Sequence, residues 1–406
     1  MRKLCTIPLY ILCISILFFS QCKDSQMDND PLGDVIIGIS GFVTPPSEWT
    51  NPKVFASYHK FDREFDNTII GSINGGSFEL FVEKKADINI YVFDDTNGNG
   101  AFDYQTEPRV PHGENPFAVT KSDISVGEVV VRKVTGTVTF PASWTHARAF
   151  IMKGTDIFGY SEITDNTYTL FAGVGTDYEV YVYNESSTED VYYDFSVESR
   201  FGHPTNPFDS TLGDLTASEM IVRSISGQVT FTDAFITGNY QNTFDNLKVA
   251  IAYPHPETGW LTIESYATVD VNNSFEVYGM ARATNRLYVF QDFNNNNLYD
   301  SNEEPYIIIP GRGNNNPAGD ASFSSVDGDV TVDVELGILA GHINNTDSWN
   351  YPQVYLSQGW DALAYNTIDD LDFAFFRCSS YNVNNSGIQT QEYKIVIFDD
   401  DATHDG

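Results

Sequence analysis

Ile39-Ser40-Gly41-Phe42-Val43-Thr44 alternates apolar and polar residues around a central glycine. Alternation at period two is the pattern of a half-buried strand, and a lone glycine within it marks a close approach by another group. The same pattern returns as Val134-Thr135-Gly136-Thr137-Val138-Thr139, as Ile225-Ser226-Gly227-Gln228-Val229-Thr230 and as Leu339-Ala340-Gly341-His342-Ile343-Asn344. The four glycines are 95, 91 and 114 residues apart, and eight residues after each stands an aromatic: Trp49, Trp144, Phe235 and Trp349. Four coincidences at one spacing define a repeated unit.

Two further landmarks share the repeat. Alternating stretches end in acidic or polar loops at Ile88–Phe93, Tyr178–Tyr183, Arg286–Phe290 and Tyr393–Phe398. An Asn-Pro pair follows in three units: Asn115-Pro116, Asn206-Pro207 and Asn316-Pro317. Short strands punctuated by Gly, Pro, Asn and Asp fill each unit, and no ten-residue stretch has a 3.6-residue period. Strands packed into about 95 residues make an immunoglobulin-like sandwich. The expected fold is all-β, with tandem sandwiches at residues 34–133, 134–223 and 224–337 and an incomplete one at 338–406. Unit one has 43 residues from Phe93 to Gly136, but only eight follow Phe398. The expectation is a piece of a longer repeat protein, the alternative an incomplete unit that borrows a strand from a partner.

Composition narrows the function. The chain has 406 residues, with 22 Lys and Arg against 56 Asp and Glu, a net charge of −34. That excludes a nucleic-acid backbone as partner, since phosphate recognition needs basic patches. With 41% apolar and 14% aromatic residues the chain is no disordered acidic tail.

The opening I-S-G-x-V-T and the acidic loop resemble transthyretin-like and carboxypeptidase-regulatory-like modules, and the B-type repeats of bacterial surface adhesins. The resemblance covers residues 34–337 and, in part, 338–406. It implies prealbumin-like sandwiches that serve as non-catalytic spacers or binding units. The repeated aromatics read as core fillers at one end of each sandwich. Trp260 and Trp360 stand off the repeat and are the candidates for exposed ligand stacking.

Two loops carry chemistry. Asp95-Thr96-Asn97-Gly98-Asn99-Gly100-Ala101-Phe102-Asp103 and Asp292-Phe293-Asn294-Asn295-Asn296-Asn297-Leu298-Tyr299-Asp300 align without a gap at an offset of 197. Each is followed by an acid just before proline, Glu107 and Glu304. The spacing resembles the calcium loops of EF-hands and dockerins. Calcium takes six to eight oxygens, and a curled loop aims alternate side chains inward. The ligand set is Asp95, Asn97, Asn99, Asp103 and Glu107 with the Ala101 carbonyl, and Asp292, Asn294, Asn296, Asp300 and Glu304 with the Leu298 carbonyl. Position 6 turns sharply, which suits Gly100 and is tolerated by Asn297. A strand leads into each loop, so no helical EF-hand is expected, and Glu303 competes with Glu304 as the closing ligand. Asn, Asp and Gly also build turns without metal; two copies at matched spacing favour calcium. Unit two has lost the pattern over residues 184–190, and no site is expected there.

The N-terminus carries an address. Arg2 and Lys3 precede an apolar run from Leu4 to Phe19, the layout of an export signal. With Cys22 it resembles a bacterial lipoprotein signal, although Phe19 and Gln21 depart from the usual Leu and small residue. This implies a signal peptide at 1–21, lipidation of Cys22 and a tether over 22–33; the alternative is ordinary cleavage and secretion. The acidic stretch behind Cys22 resembles surface-export signals of Bacteroidetes lipoproteins. Removal of residues 1–21 takes Cys5 and Cys13, so Cys378 remains as a buried apolar residue without a disulfide.

No H-E-x-x-H, G-x-S-x-G, Walker A or G-x-G-x-x-G occurs. His112 and His203, each three residues before Asn-Pro, read as loop hydrogen bonders or packing groups. The expectation is a non-catalytic outer-membrane lipoprotein, a calcium-stabilised stalk or adhesin, held by its lipid and meeting a surface glycan or protein. The alternative is a glycan-binding lipoprotein similar to the starch-utilisation lipoproteins of the Bacteroidetes. An enzyme would require a catalytic domain beyond Gly406.

Overall fold

The computed structural model describes residues 36–58, 69–83, 87–104, 106–118, 122–185, 193, 198–232, 246–254, 261–299, 304, 306–309, 322–342, 352–358, 361–367, 372–384, 386, 388 and 393–399. Expectations on Cys22 and the signal, Phe235, Trp260, Asp300, Glu303, Asn316-Pro317, Trp349, Trp360 and most of the unit-two loop lie outside these residues.

The described residues are all-β. The first unit contains β1 (Ile36–Thr44), β2 (Pro52–Ser57), β3 (Ile69–Ser72), β4 (Ser77–Glu83), β5 (Asn89–Asp94), β6 (Arg109–Pro111) and β7 (Ile124–Val130). They form two sheets, β3-β2-β5-β6 and β4-β1-β7, with β1 antiparallel to β4 and parallel to β7. The second unit follows with β8 (Arg132–Thr139), β9 (Ala147–Lys153), β10 (Asp156–Glu162), β11 (Thr167–Ala172), β12 (Glu179–Asn184), β13 (Arg200–Gly202), β14 (Leu215–Thr216) and the start of β15 (Met220–Phe231). The third has β15, β16 (Leu247–Pro254), β17 (Leu261–Thr268), β18 (Ser274–Met280), β19 (Arg286–Gln291), β20 (Tyr306–Ile309) and β21 (Val330–His342). Its sheets, β17-β16-β19-β20 and β18-β15-β21, repeat the order of the first. In the fourth, β22 (Pro352–Gln358), β23 (Asp361–Thr367) and β25 (Lys394–Asp399) form one sheet, and β24 (Asp372–Val383) pairs with β21.

The repeated glycine has a steric cause. Gly41 lies opposite Phe78, and a Cβ there would stand 2.5 Å from the Phe78 ring. Gly136 faces Tyr168 and Gly227 faces Phe275 in the same register. An aromatic ring thus lies across each of these three glycines, replacing the side chain the strand lacks. Inward residues Ile39, Val43, Phe78, Leu80, Ile90 and Val92 fill the first core, and equivalent residues fill the second and third.

The middle strands of units one and three are buried on both faces. Ile90 and Val92 face the core, while Tyr91 and Phe93 lie under a second cluster with Phe55 and Phe102. Phe102 comes from the loop itself, and its ring centroid stands 4.9 Å from Phe55 and 5.2 Å from Phe93. Tyr299 does the same in unit three, 5.6 Å from Tyr288 and 5.3 Å from Phe290. Position 8 of each acidic loop therefore pins the loop to the sheet.

Successive units have no linker. Only Val131 separates β7 from β8. β15 begins by pairing with β8 of unit two and continues, in the same strand, with β18 and β21 of unit three. β21 pairs with β15 and then with β24 of unit four. The sequence boundaries at 133/134, 223/224 and 337/338 thus fall inside β8, β15 and β21.

The aromatics eight residues after the glycines do more than fill their own cores. Trp49 meets Phe171 of the next unit edge-on, with centroids 5.4 Å apart and planes at 76°. Trp144 meets Tyr278 of the third unit at 5.7 Å and 85°. Arg109 is buried in the first joint, where an Nη2 hydrogen is donated to the Ile157 carbonyl at 2.9 Å and the guanidinium faces the rings of Tyr91 and Phe158.

Candidate metal centre

β5 delivers Asp94 and Asp95 to the first loop, and β6 begins just after Glu107. The Asp94 carboxylate accepts the backbone N–H groups of Thr50 and Asn51, at 2.7–3.1 Å. This ties the Trp49 loop to the root of the acidic loop. Asp95 Oδ2 accepts from Asn51 Nδ2 at 2.9 Å and from the Gly100 N–H at 3.1 Å. The Asn97 Oδ1 accepts the Asn99 N–H, and the Asn99 Oδ1 accepts the Ala101 N–H, at 2.9 and 2.6 Å. Gly98 and Gly100 take φ of 71° and 80°, the left-handed region that glycine enters without steric cost. Glu107 returns from the far end, its Oε2 accepting the Asp103 N–H at 2.9 Å.

Two acceptors are left over. Asp95 is 1% exposed and Glu107 2% exposed, yet Asp95 Oδ1 and Glu107 Oε1 are buried without a hydrogen-bond donor among the described residues. An ionised oxygen withdrawn from water without a partner is costly. Burial pushes Glu107 above the usual carboxylate range, with Asp103 and Asp95 adding repulsion. Asp103 Oδ2 gathers the side-chain amides of Asn97 and Asn99, at 2.5 and 2.7 Å.

The second loop repeats these bonds. Asp292 Oδ2 accepts the Asn297 N–H at 3.0 Å, Asn294 Oδ1 accepts the Asn296 N–H at 2.9 Å, and Asn296 Oδ1 accepts the Leu298 N–H at 2.7 Å. Asn295 and Asn297 take φ of 59° and 63° where unit one has glycines. Glu304, itself buried, accepts the Phe293 N–H at Oε1, at 3.0 Å. Lys248 adds a feature of its own, donating from Nζ to Asn297 Oδ1 and Thr268 Oγ1, each at 2.8 Å. Among the described residues no three His, Cys, Asp or Glu side chains converge closely enough to hold a metal alone. A cation here would need the amide and carbonyl oxygens as well, a donor set suited to a hard ion such as calcium.

The two histidines are loop pins. The Glu114 N–H donates to His112 Nδ1 at 3.0 Å and the Thr205 N–H to His203 Nδ1 at 3.1 Å. His112 lies edge-on to Phe117, and His203 is tilted against Phe208. Burial lowers both imidazoles below their usual value. The asparagines of the Asn-Pro pairs act as strand surrogates. Asn115 Oδ1 accepts the Ile90 N–H and its Nδ2 donates to the Ile90 carbonyl, at 2.9 and 2.8 Å, and Asn206 does the same to Val180. Cys378 is fully buried, and burial pushes its thiol up to about 12.

A cleft of about 1030 Å³ opens between units two and three. Tyr181, Tyr193 and Arg200 line one side, and Tyr253, Glu264 and Arg282 the other. The Arg282 guanidinium lies 3.7 Å from the Tyr253 ring centroid and pairs with Glu264 Oε1 at 2.5 Å. Arg200 lies 4.6 Å from the Tyr181 ring centroid. Asn297 and Leu298 of the second acidic loop complete one end. Sequence reading placed no ligand surface here, because these residues come together only when two units meet.

No family model matches the chain. No curated protein matches it. The solved structures to which it is similar include adhesins, pilins and a fimbrial anchor. The Bacillus anthracis TIE protein is 9% identical, over 96% of this chain and 75% of that one, with a TM-score of 0.16. The fimbrial anchor protein Mfa2 from Porphyromonas gingivalis is 9% identical, over 88% of this chain and 100% of that one, with a TM-score of 0.17. A putative cell adhesion protein from Bacteroides uniformis is 9% identical, over 51% of this chain and 93% of that one, with a TM-score of 0.19. Likeness this slight fixes neither a shared topology nor a shared role.

Proposed function

We propose that the protein is a non-catalytic lipoprotein of the cell envelope whose tandem sandwiches form a calcium-stiffened stalk or adhesin. One observation carries the reading: Asp95 Oδ1 and Glu107 Oε1 are buried acceptors without donors among the described residues, in a loop whose backbone turns recur 197 residues on. A calcium ion held by Asp95, Asn97, Asn99, Asp103, Glu107 and the Ala101 carbonyl would satisfy both and cancel their repulsion. The second ion would sit among Asp292, Asn294, Asn296, Asp300, Glu304 and the Leu298 carbonyl. Extracellular calcium modules bind at about 10⁻⁴–10⁻³ M. At about 2 mM calcium and a Kd of about 0.1 mM, each site adds about 1.8 kcal/mol. Shared strands would pass that stiffness from one unit to the next. Lipid on Cys22 would tether the array to the outer membrane, facing the cell surface.

Calorimetric titration of the full chain with calcium tests this. Two binding events are expected, one lost in Asp95→Ala and the other in Asp292→Ala, with a higher melting temperature in calcium than in chelator. No heat and no melting shift would reduce both loops to turns. Cys22→Ser is expected to move the protein out of the membrane fraction.

The cleft between units two and three favours a second reading, the glycan binder. Phenol, carboxylate and guanidinium groups gathered in one cleft are donors and acceptors of the kind that hold sugar hydroxyls. Affinity electrophoresis on polysaccharides would show retardation that is lost in Tyr181→Ala and Tyr253→Ala. The same assay on Trp260→Ala and Trp360→Ala tests the residues singled out in the sequence.

A further inference from the structure

The first and second joints treat the same arginine differently. Arg109 pairs with Phe93 in unit one, and Arg200 pairs with Tyr183 at the same register position of unit two. Arg109 is 1% exposed: the Phe158 ring of the next unit lies against its guanidinium, and an Nη2 hydrogen is donated to the Ile157 carbonyl. Phe158 occupies the bulge of β10, and the residue in the matching bulge of β17 is Glu264. A carboxylate therefore stands where the first joint has a covering ring, and Arg200 is half-buried on the wall of the cleft.

Glu264 is committed to a second guanidinium. Arg282 stands seven residues after the aromatic opposite the repeated glycine, where unit two has Gly175. The backbone N–H of each goes to a serine hydroxyl, Ser325 and Ser210. Arg282 Nη1 donates to Glu264 Oε1, the Glu264 side chain is 4% exposed, and its Oε2 accepts the Met280 N–H at 3.0 Å. Tyr253, under the Arg282 guanidinium, takes the place of Lys153 in unit two. Fixed by a buried carboxylate on one nitrogen and by a ring on one face, the Arg282 fork is pre-organised. Basic side chains are scarce in this chain, 22 of 406 residues, yet Arg200, Arg282 and Lys248 all line this cleft. Of the acids there, Glu264 is paired with Arg282 and Glu179 accepts the Tyr181 hydroxyl at 2.9 Å, and Glu198 is the third. The cleft is thus balanced in charge within a protein of net charge −34. A guanidinium gives two parallel N–H bonds to the two oxygens of a carboxylate, and a lone hydroxyl has no such pair of oxygens.

We propose that the cleft takes a glycan bearing carboxylate groups, a polymer of uronic acid, with Arg282 and Arg200 as the residues that bind its carboxylates. The inference rests on the reading of the cleft as a glycan site and adds the charge of the sugar. It does not depend on calcium in the acidic loops.

The test is affinity electrophoresis of the full chain, in chelator so that calcium does not gel the polymers. The probes are polygalacturonate, alginate and hyaluronate, each beside its esterified form, which keeps the backbone and removes the charge, and neutral amylose. Retardation is expected on an acidic polymer, with a Kd about tenfold higher for its ester. Arg282→Lys and Arg200→Lys keep the charge but lose the fork, and each is expected to weaken binding of the acidic polymer about tenfold. The esterification comparison uses the unaltered chain and decides even if a variant misfolds. Equal retardation by an acidic polymer and its ester, or retardation on amylose alone, would overturn the carboxylate and leave the glycan reading in place. Binding of an acidic polymer unchanged in both lysine variants would overturn the cleft as its site. No retardation on any of these polymers would remove the glycan reading and this inference with it.

Discussion

Phe171→Ala should destabilise a unit to which Phe171 does not belong. The ring sits on β11 of unit two but packs with Trp49 in the core of unit one. The magnitude follows from its counterpart in unit one. Phe81 is 60% exposed where Phe171 is 9% exposed, so the joint removes about half of a phenylalanine side chain from water. That is about 100 Å² of apolar surface, or about 2.5 kcal/mol at ~25 cal/mol per Å². The edge-on contact with Trp49 adds about 1 kcal/mol. The sum, about 3.5 kcal/mol, lies within the range for truncating a buried phenylalanine. Phe81→Ala, the same change at the equivalent position, should cost about 0.5 kcal/mol or less in the monomer. A single unfolding midpoint is ill-defined for an array of units, so the assay is native-state amide hydrogen exchange. Protection of Val54 and Val92 in unit one should fall by the stated amount in Phe171→Ala and stay unchanged in Phe81→Ala. Equal effects of the two variants, or loss confined to unit two, would refute the shared core.

Gly227→Ala should destabilise the third unit by about 1–3 kcal/mol, because the new Cβ would run into the Val332 carbonyl, which is backbone and cannot swing away. Gly328→Ala, with nothing within 4 Å, is the control and should change urea stability by about 0.5 kcal/mol or less. The lowered imidazoles of His112 and His203 make stability fall on mild acidification. A histidine held neutral contributes fully above its unfolded pKa of about 6.5, and the contribution is lost as pH drops toward the folded value. Urea midpoints between pH 5.5 and 7.5 should show that slope, and His112→Gln with His203→Gln should flatten it.

The chain alone determined the repeat, its β character and the spacing of the acidic loops. Those features are local. A glycine in an alternating strand, an aromatic eight residues on, and Asp, Asn and Gly at fixed offsets are all readable within a few residues. The reading of Trp49 and Trp144 as core residues was half of their role, since each also meets a ring more than a hundred residues away. The signal for those partners was present: Phe78-Glu79-Leu80-Phe81, Tyr168-Thr169-Leu170-Phe171, Phe275-Glu276-Val277-Tyr278 and Phe373-Ala374-Phe375-Phe376 form a fourth landmark. Its meaning was hidden because alternation tells which residues share a face, not what that face meets.

Only the tertiary structure decided how the units join and which loop oxygens are left without donors. β15 and β21 each run from one unit into the next, so the expected boundaries there fall within continuous strands. Asp95 and Asp103 are equally acidic as letters; burial beside Asn51 and Glu107 leaves one Asp95 oxygen without a donor among the described residues, while Asp103 accepts two asparagine amides. The cleft at the second joint is lined from both unit two and unit three, by residues far apart in the chain. Periodicity records the local preferences of one strand, whereas burial and hydrogen-bond satisfaction belong to groups that meet only when the chain has folded.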